Sequence, residues 1–93
     1  MTELEDAILA VRARLQDAER AAGSYADDPT GWHRRHRAEM THLAEALNVE
    51  VGATIVNKWD GCKVRISGLT ATCTAGLSGA LNNWCAAAER KLA

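Results

Sequence analysis

The residues with most potential for chemistry lie between Trp32 and Arg37, where the chain runs Trp-His-Arg-Arg-His-Arg. Arg34 and Arg37 are three residues apart, so on a helix they face the same way. Guanidinium groups suit paired contacts with phosphate or carboxylate, and together with His33 they form a candidate anion clamp. Two lysines and one further arginine follow on a predicted β-hairpin. The full candidate basic surface is Arg34, Arg35, Arg37, Lys58, Lys63 and Arg65.

The histidines raise the question of a metal site. His33 and His36 have the spacing H-x-x-H on a predicted helix, and His42 follows further along. Zinc requires three or four convergent ligands in a recognised spacing, and a fourth ligand is missing unless a cysteine folds back to join them. We therefore expect packed or solvated histidines, with no metal and no cofactor.

The sequence contains no local motif for nucleophilic catalysis. A serine or cysteine nucleophile needs a base and an orienting group within hydrogen-bonding distance, and no motif places Ser67, Ser78 or a cysteine beside a histidine. The segment Thr70–Thr74 can present hydroxyl groups to an anion at the start of a predicted helix, although helix capping is the simpler role for threonine there. The sequence thus predicts a protein that is not an enzyme.

Charge is unevenly distributed along the chain, although the net charge is only −1. Residues 1–31 carry seven acids against three arginines, and the remaining residues carry five acids against eight basic residues. An acidic helix is usually a solvated face, but it can also imitate nucleic-acid phosphate and occupy a basic groove of another protein. The candidate acidic partner-binding residues are Glu3, Glu5, Asp6, Asp27 and Asp28.

Two antiparallel helices are predicted to position these groups. Thr2 and Glu5 form a capping-box pattern, and an apolar seam follows at spacings of three and four residues that is typical of a helix ending near Gly23. Asp28-Pro29 suits the N-cap and first position of a second helix with Asn48 near its end, and Gly52 is expected to separate this helical pair from the first strand. The predicted seam is Leu4, Ile8, Val11, Leu15, Ala18 and Ala22, and the predicted inner face of the second helix is Trp32, Met40, Leu43 and Leu47. We expect this helical pair to pack on the sheet.

A β-hairpin with an Asp60-Gly61 turn is predicted next, because Asp and Gly tolerate the positive φ angles of tight hairpin turns. That turn sets a register in which Trp59 opposes Cys62, Asn57 opposes Val64 and Ile55 opposes Ile66, all on the core face. The opposite face then carries Thr54, Val56, Lys58, Lys63 and Arg65, with Lys58 directly across from Lys63. Like charges in that position are either splayed into water or meet an anionic partner.

A long helix is predicted to complete the chain. Ser67-Gly68 breaks the second strand, and Thr70 or Thr72 is expected to cap the helix. The small residues Gly76, Gly79 and Ala80 indicate close approach of another backbone, within the fold or across a dimer, or alternatively contact with a ligand. The apolar stripe of this helix is Cys73, Leu77, Leu81, Trp84, Ala88 and Leu92. The predicted fold is α+β with element order ααββα in a single domain, residues 1–93.

Cysteine usage and composition predict the cellular location and the oligomeric state. The chain has 93 residues with three cysteines, no C-x-x-C spacing, and neither a signal-like nor a membrane-spanning segment, which favours the cytoplasm. Cys73 and Cys85 on one helix would lie about 18 Å apart, too far to form a disulfide bond. A core built mainly from small side chains favours self-association, so we expect a homodimer.

The segment from Val64 through Asn83-Trp84 resembles the C-terminal segments of small phage or prophage accessory proteins, a class that includes anti-CRISPR proteins. The resemblance covers about a third of the chain and carries over no functional residues. It implies a protein that inhibits a host defence or nucleic-acid-processing complex by binding it, with the host cytoplasm as its location. The alternative is a small regulatory module that binds nucleic acid or a phosphate-bearing ligand through its basic residues.

Overall fold

The computed structural model describes residues 3–23, 25–58 and 60–93. The elements are α1 (Glu3–Ala22), α2 (Pro29–Val51), β1 (Thr54–Lys58), β2 (Gly61–Ile66), β3 (Leu69–Cys73) and α3 (Leu77–Leu92). The α+β class is confirmed, but the order is ααβββα because the described residues contain a third strand that the sequence analysis missed.

Helix α1 follows the predicted apolar seam. Its buried residues are Ala7, Ile8, Val11, Leu15, Ala18 and Ala22, and Leu4 is partly buried against them. The helix ends at Ala22, where Gly23 takes a φ of 76° that favours glycine. The predicted boundary is therefore confirmed. The capping role expected of Thr2 lies outside the described residues.

Helix α2 begins and ends as predicted. Asp28 is the N-cap, its side chain accepts a hydrogen bond from the Gly31 N–H at 3.1 Å, and Pro29 occupies the first turn. The helix continues past Asn48 to Val51 and ends at Gly52, which has φ 65° and ψ 30°. Its buried residues are Met40, Leu43 and Leu47, and Trp32 is only partly buried.

The three strands form an antiparallel sheet in the order β1-β2-β3. Ile66 pairs with Leu69, so Ser67 and Gly68 form a two-residue hairpin loop in which both residues have positive φ, 52° and 78°. Those angles are the requirement of a type I′ turn. The Ser-Gly pair therefore connects two strands, and Thr70 and Thr72 lie within β3 instead of capping a helix.

The β1–β2 register differs from the prediction. Lys58 pairs with Gly61, Asn57 with Cys62 and Ile55 with Val64, so Gly61 lies in the ladder and not in the predicted Asp60-Gly61 turn. Each residue of β1 therefore pairs with a residue two positions earlier on β2 than predicted, and the turn moves by one residue. Because side chains alternate with a period of two, every described side chain stays on its predicted face. Lys58 is not opposite Lys63, and the pairing avoids that like-charge contact. The predicted position of Trp59 on the core face lies outside the described residues.

Helix α3 covers the inner face of the sheet, and α1 packs against α3 and α2. The helical pair therefore does not cover the sheet as predicted; α2 only reaches β1. From Leu77 onwards the expected stripe is buried up to Ala88, and Leu92 is exposed. Trp84 is fully buried, and its Nε1–H donates a hydrogen bond to the Leu69 carbonyl at 3.1 Å. A Cβ added at Gly79 would lie 2.6 Å from the Cys73 Sγ, so this glycine permits close packing within the fold.

Candidate functional site

The outer face of the sheet is an exposed basic surface. Because side chains alternate along each strand, Lys58 on β1 and Lys63 and Arg65 on β2 project to the side opposite the core. The register places Lys63 between Val56 and Thr72, and Arg65 between Thr54 and Thr70. All seven of these side chains are exposed. We call this set, namely Thr54, Val56, Lys58, Lys63, Arg65, Thr70 and Thr72, the outer sheet face.

The electrostatics of the outer sheet face favour anions. Its three charged residues are all cations, and its remaining side chains are three threonines and one valine. Lys63 and Arg65 are two residues apart on one strand, or about 6.8 Å at the usual antiparallel rise. Hydroxyl groups alternate with the charges and can accept or donate hydrogen bonds. The arrangement can bind a chain of negatively charged groups that runs along or across the strands.

A concavity lies at the turn end of this surface. It has a volume of about 290 Å³, and its lining includes the cations Lys58 and Lys63, the hydroxyls of Thr72 and Thr74, and Asp60. The two ammonium groups attract an anion, while the Asp60 carboxylate repels one that enters too deeply. An anionic group is therefore best accommodated towards the strands, away from the turn.

The arginines of α2 do not extend the outer sheet face. Arg35 Nε donates a hydrogen bond to the Ala22 carbonyl at 2.9 Å, and its Nη1 lies 3.7 Å from Asp28 Oδ2. Arg35 therefore ties the end of α1 to the start of α2. Arg37 lines a groove with Ile55 and Asn57, which belong to the inner face of β1. The six predicted basic residues thus do not form one surface: three lie on the outer sheet face, namely Lys58, Lys63 and Arg65, and three lie on α2, namely Arg34, Arg35 and Arg37.

The predicted acidic residues also divide into two places. Glu3 and Asp6 lie in the first turn of α1 and line a concavity of about 480 Å³ together with Glu50 from the end of α2. Glu5 is half-buried in the same turn. Asp27 and Asp28 follow the other end of α1, which is about 30 Å long, and Asp28 is engaged as the α2 N-cap. The contribution of Glu50 was missed, because only the antiparallel packing of α1 and α2 brings it to Glu3.

Four rings cluster where the helical pair turns. The Trp32 ring stacks on His36 with centroids 4.6 Å apart, and Tyr25 meets the edges of Trp32 and His33 at 5.4 and 5.5 Å. This aromatic cluster was not predicted, although the i, i+4 spacing of Trp32 and His36 was a usable signal. His42 lies further along α2, beside Arg14 and Asp17. Residues 3–23, 25–58 and 60–93 contain no group of three or more His, Cys, Asp or Glu side chains arranged to hold a metal ion.

The cysteines lie on the inner side of the sheet and on α3. Cys62 is directly opposite Cys73 in the β2–β3 ladder, so Cys73 is not on a helix with Cys85 as predicted. Burial raises the pKa of the Cys62 thiol, and the neighbouring Cys73 adds to the effect. Burial also raises the pKa of Cys85, which outweighs the lowering effect of Arg12. Of the two serines considered, Ser67 lies in the β2–β3 turn and Ser78 in the first turn of α3.

The chain matches no protein-family model, no curated protein and no solved structure. Within the described segments, no helix combines the length and apolar character required to cross a membrane.

Proposed function

We propose that this protein is a non-catalytic binding module that holds a nucleic-acid backbone on its outer sheet face. The observation that supports this most directly is the alignment of Lys58, Lys63 and Arg65 on one exposed surface, without an acidic side chain among the strand residues of that face. Backbone phosphates are contacted mainly by basic and hydroxyl side chains, and the outer sheet face offers both.

The size of the surface sets the expected strength of binding. Three cations release about three counterions, so the observed association constant should fall with salt with a logarithmic slope of about −2 for a single strand. Such a slope describes a weak and sequence-tolerant contact. The outer sheet face therefore serves to hold a strand that is already presented at high local concentration.

The test is fluorescence anisotropy with a labelled 20-nucleotide single strand at 50 and 200 mM salt. Replacing Lys58, Lys63 and Arg65 together by alanine should weaken binding at least tenfold. The matched control replaces three exposed cations elsewhere, Arg20, Arg90 and Lys91, and should change binding less than twofold. Equal losses in both triple variants, or no binding by the unmodified protein at 50 mM salt, would overturn the proposal.

A second candidate function is inhibition of a host defence complex, as the phage-type resemblance implies. The observation that favours it is the position of Glu3 and Asp6 at one concavity, which offers two carboxylates to a basic groove on a partner, while the adjoining Glu50 is paired with Arg14. Glu3 and Asp6 also lie in the first turn of α1, where the helix dipole favours negative charge. Their positions are therefore explained without a binding partner.

A plasmid-interference assay tests this second candidate. In cells with an active CRISPR system, production of the protein should restore transformation by a targeted plasmid at least tenfold. Reversing Glu3 and Asp6 to lysine should remove that effect while the far-ultraviolet spectrum stays unchanged. The control reverses Asp17 and Glu19, exposed acids on the same helix, and should retain inhibition. Unrestored transformation with the unmodified protein would rule the candidate out.

A further inference from the structure

Strand β1 is an open edge of the sheet, and its composition does little to protect it. The sheet order leaves β1 and β3 as the two edges. The backbone of β3 accepts two hydrogen bonds from side chains of α3. Asn83 Nδ2 donates to the Thr72 carbonyl at 2.9 Å, and Trp84 Nε1 donates to the Leu69 carbonyl. Natural edge strands are usually protected by short length, lysine, proline, a bulge or an inward-pointing charge. Thr54–Lys58 has no proline and no inward-pointing charge, and its protection is limited to its length of five residues and to Lys58 on the outer face at its end.

Apolar surface is exposed on both sides of this edge. Val56 is 41% exposed on the outer sheet face, and Ile55 is only half-buried on the inner face. Between β1 and α2 run two adjoining concavities of about 390 and 300 Å³, which share Ala44, Glu45 and Ile55. The two concavities form one groove of mixed character beside this edge strand, in which apolar side chains such as Ile55 and Val49 alternate with polar and charged ones.

We propose that a second copy of this chain occupies this edge, with the two β1 strands pairing antiparallel about a two-fold axis at Val56. In that register Val56 opposes the partner's Val56, Ile55 opposes Asn57 and Thr54 opposes Lys58. No like charges meet across the new ladder, and an apolar pair lies at its centre, which is the pairing that stabilises antiparallel strands.

The charges beside the groove are self-complementary under the same axis. Arg37 and Glu45 both line the groove and lie eight residues apart on α2, about 12 Å. A two-fold axis reverses α2 together with β1, so Arg37 of one copy faces the partner's Glu45 and the reverse contact forms on the other side. An isologous interface has this property, because one patch must fit itself. This complementarity favours a second copy over an unrelated partner.

The dimer would carry one six-stranded sheet with a doubled outer face. Lys58, Lys63 and Arg65 from both copies would place six cations on an uninterrupted surface, which reaches the six to ten phosphate contacts of many nucleic-acid-binding proteins. This consequence rests on the proposed function, whereas the dimer itself rests on the edge strand. The two are tested separately.

Light scattering of the purified full chain, without nucleic acid, tests the assembly. Between 5 and 200 µM the mass should rise towards twice the 10.0 kDa of one chain. Val56→Lys places like charges across the axis and should raise the dimer dissociation constant at least tenfold. Leu9→Lys, at a 57% exposed position on α1, is the matched control and should leave the constant unchanged.

A cross-link tests the register. Val56→Cys should yield, on mild oxidation, a covalent dimer in which the peptide containing position 56 is joined to its own copy. A monomer at 200 µM, or a dimer insensitive to Val56→Lys, would refute the inference. If the dimer forms but the salt slope for a single strand stays near −2 instead of approaching −4, the dimer stands and its link to nucleic-acid binding fails.

Discussion

Cys62 lies directly opposite Cys73 on the inner side of the β2–β3 ladder. Opposed residues of antiparallel strands have Cα atoms about 4.5–5.5 Å apart, which lies within the range that a disulfide bond spans. Cys85 is held separately on α3 beside Arg12. Cys62 and Cys73 are therefore positioned to form a disulfide bond, and Cys85 is not part of this pair.

Oxidised glutathione should convert this pair selectively. Cys62 and Cys73 would lose two electrons and two protons, and one glutathione disulfide would be reduced to two thiols. Peptide mapping by mass spectrometry should find Cys62 joined to Cys73, with Cys85 still open to alkylation after unfolding. A bond from Cys85 to either of the others would contradict the strand register.

Replacing Trp84 should be the most damaging single change in the core. Trp84→Ala removes the largest fully buried side chain among the described residues and should lower the free energy of unfolding by about 3–5 kcal/mol. Trp84→Phe keeps most of the ring but leaves the Leu69 carbonyl without its donor, which should cost about 1–2 kcal/mol. Urea denaturation measures both; no loss in Trp84→Phe would show that the hydrogen bond contributes nothing, and equal losses in the two variants would show that the ring packing contributes nothing.

Gly79→Ala should destabilise the protein despite the better helix propensity of alanine. The new Cβ would lie 2.6 Å from the Cys73 Sγ, and overpacking of this kind costs about 1–3 kcal/mol, against a gain of about 0.5–1 kcal/mol from replacing a helical glycine. The net loss should therefore be about 1 kcal/mol.

Cys73→Ala provides the control for that prediction. With the sulfur removed, Gly79→Ala should become neutral or stabilising, so the double-mutant cycle yields a favourable coupling. Additive losses from the two changes would show that the contact between Gly79 and Cys73 is not the cause.

Stability should fall at high pH because of the buried thiols. Burial raises the pKa of Cys62 and of Cys85 above the ordinary 9.0, so the folded protein keeps protons that the unfolded chain has released. The unfolded state then binds fewer protons, and the free energy of unfolding decreases as pH rises through 9.0 and beyond. Below that range these two thiols contribute no pH dependence.

Urea denaturation between pH 7 and 10.5 measures the effect. Other groups titrate there as well, so the informative quantity is the difference between the unmodified chain and Cys85→Ala. The variant should lose less stability over the interval, even though its stability at pH 7 is lower. Parallel curves would show that the Cys85 thiol does not titrate differently in the two states.

Local patterns predicted the helical pair well because they depend on near neighbours in sequence. The seam of Ile8, Val11 and Leu15 and the Asp28-Pro29 start of α2 are local signals, and both are confirmed. Strand β3 was missed although Leu69, Ala71 and Cys73 alternate with threonines. The four-residue spacing of Cys73, Leu77 and Leu81 competed with that alternation and favoured a helix.

The candidate surface was predictable in part for a related reason. The cations of the outer sheet face follow from strand alternation, which a turn shifted by one residue does not alter. The cross-strand partners of Lys58 and Lys63 depend on the position of the turn, and the predicted partners were wrong. The separation of Arg37 from the sheet cations and the approach of Glu50 to Glu3 arise from packing between distant segments, which no local pattern encodes.

The order of the elements has a consequence for how fast the chain can fold. α1 pairs with α2, β1 with β2 and β2 with β3, so most contacts join neighbours in sequence. Two-state domains that mix helices and sheet fold more slowly than helical bundles and faster than all-β sandwiches, because their contacts have an intermediate mean separation in sequence. The contact between the elements farthest apart in sequence is the packing of α3 on α1, which joins the two ends of the chain. We expect this docking to follow the transition state for folding, so changes at the α1–α3 interface should mainly accelerate unfolding and leave the folding rate almost unaltered.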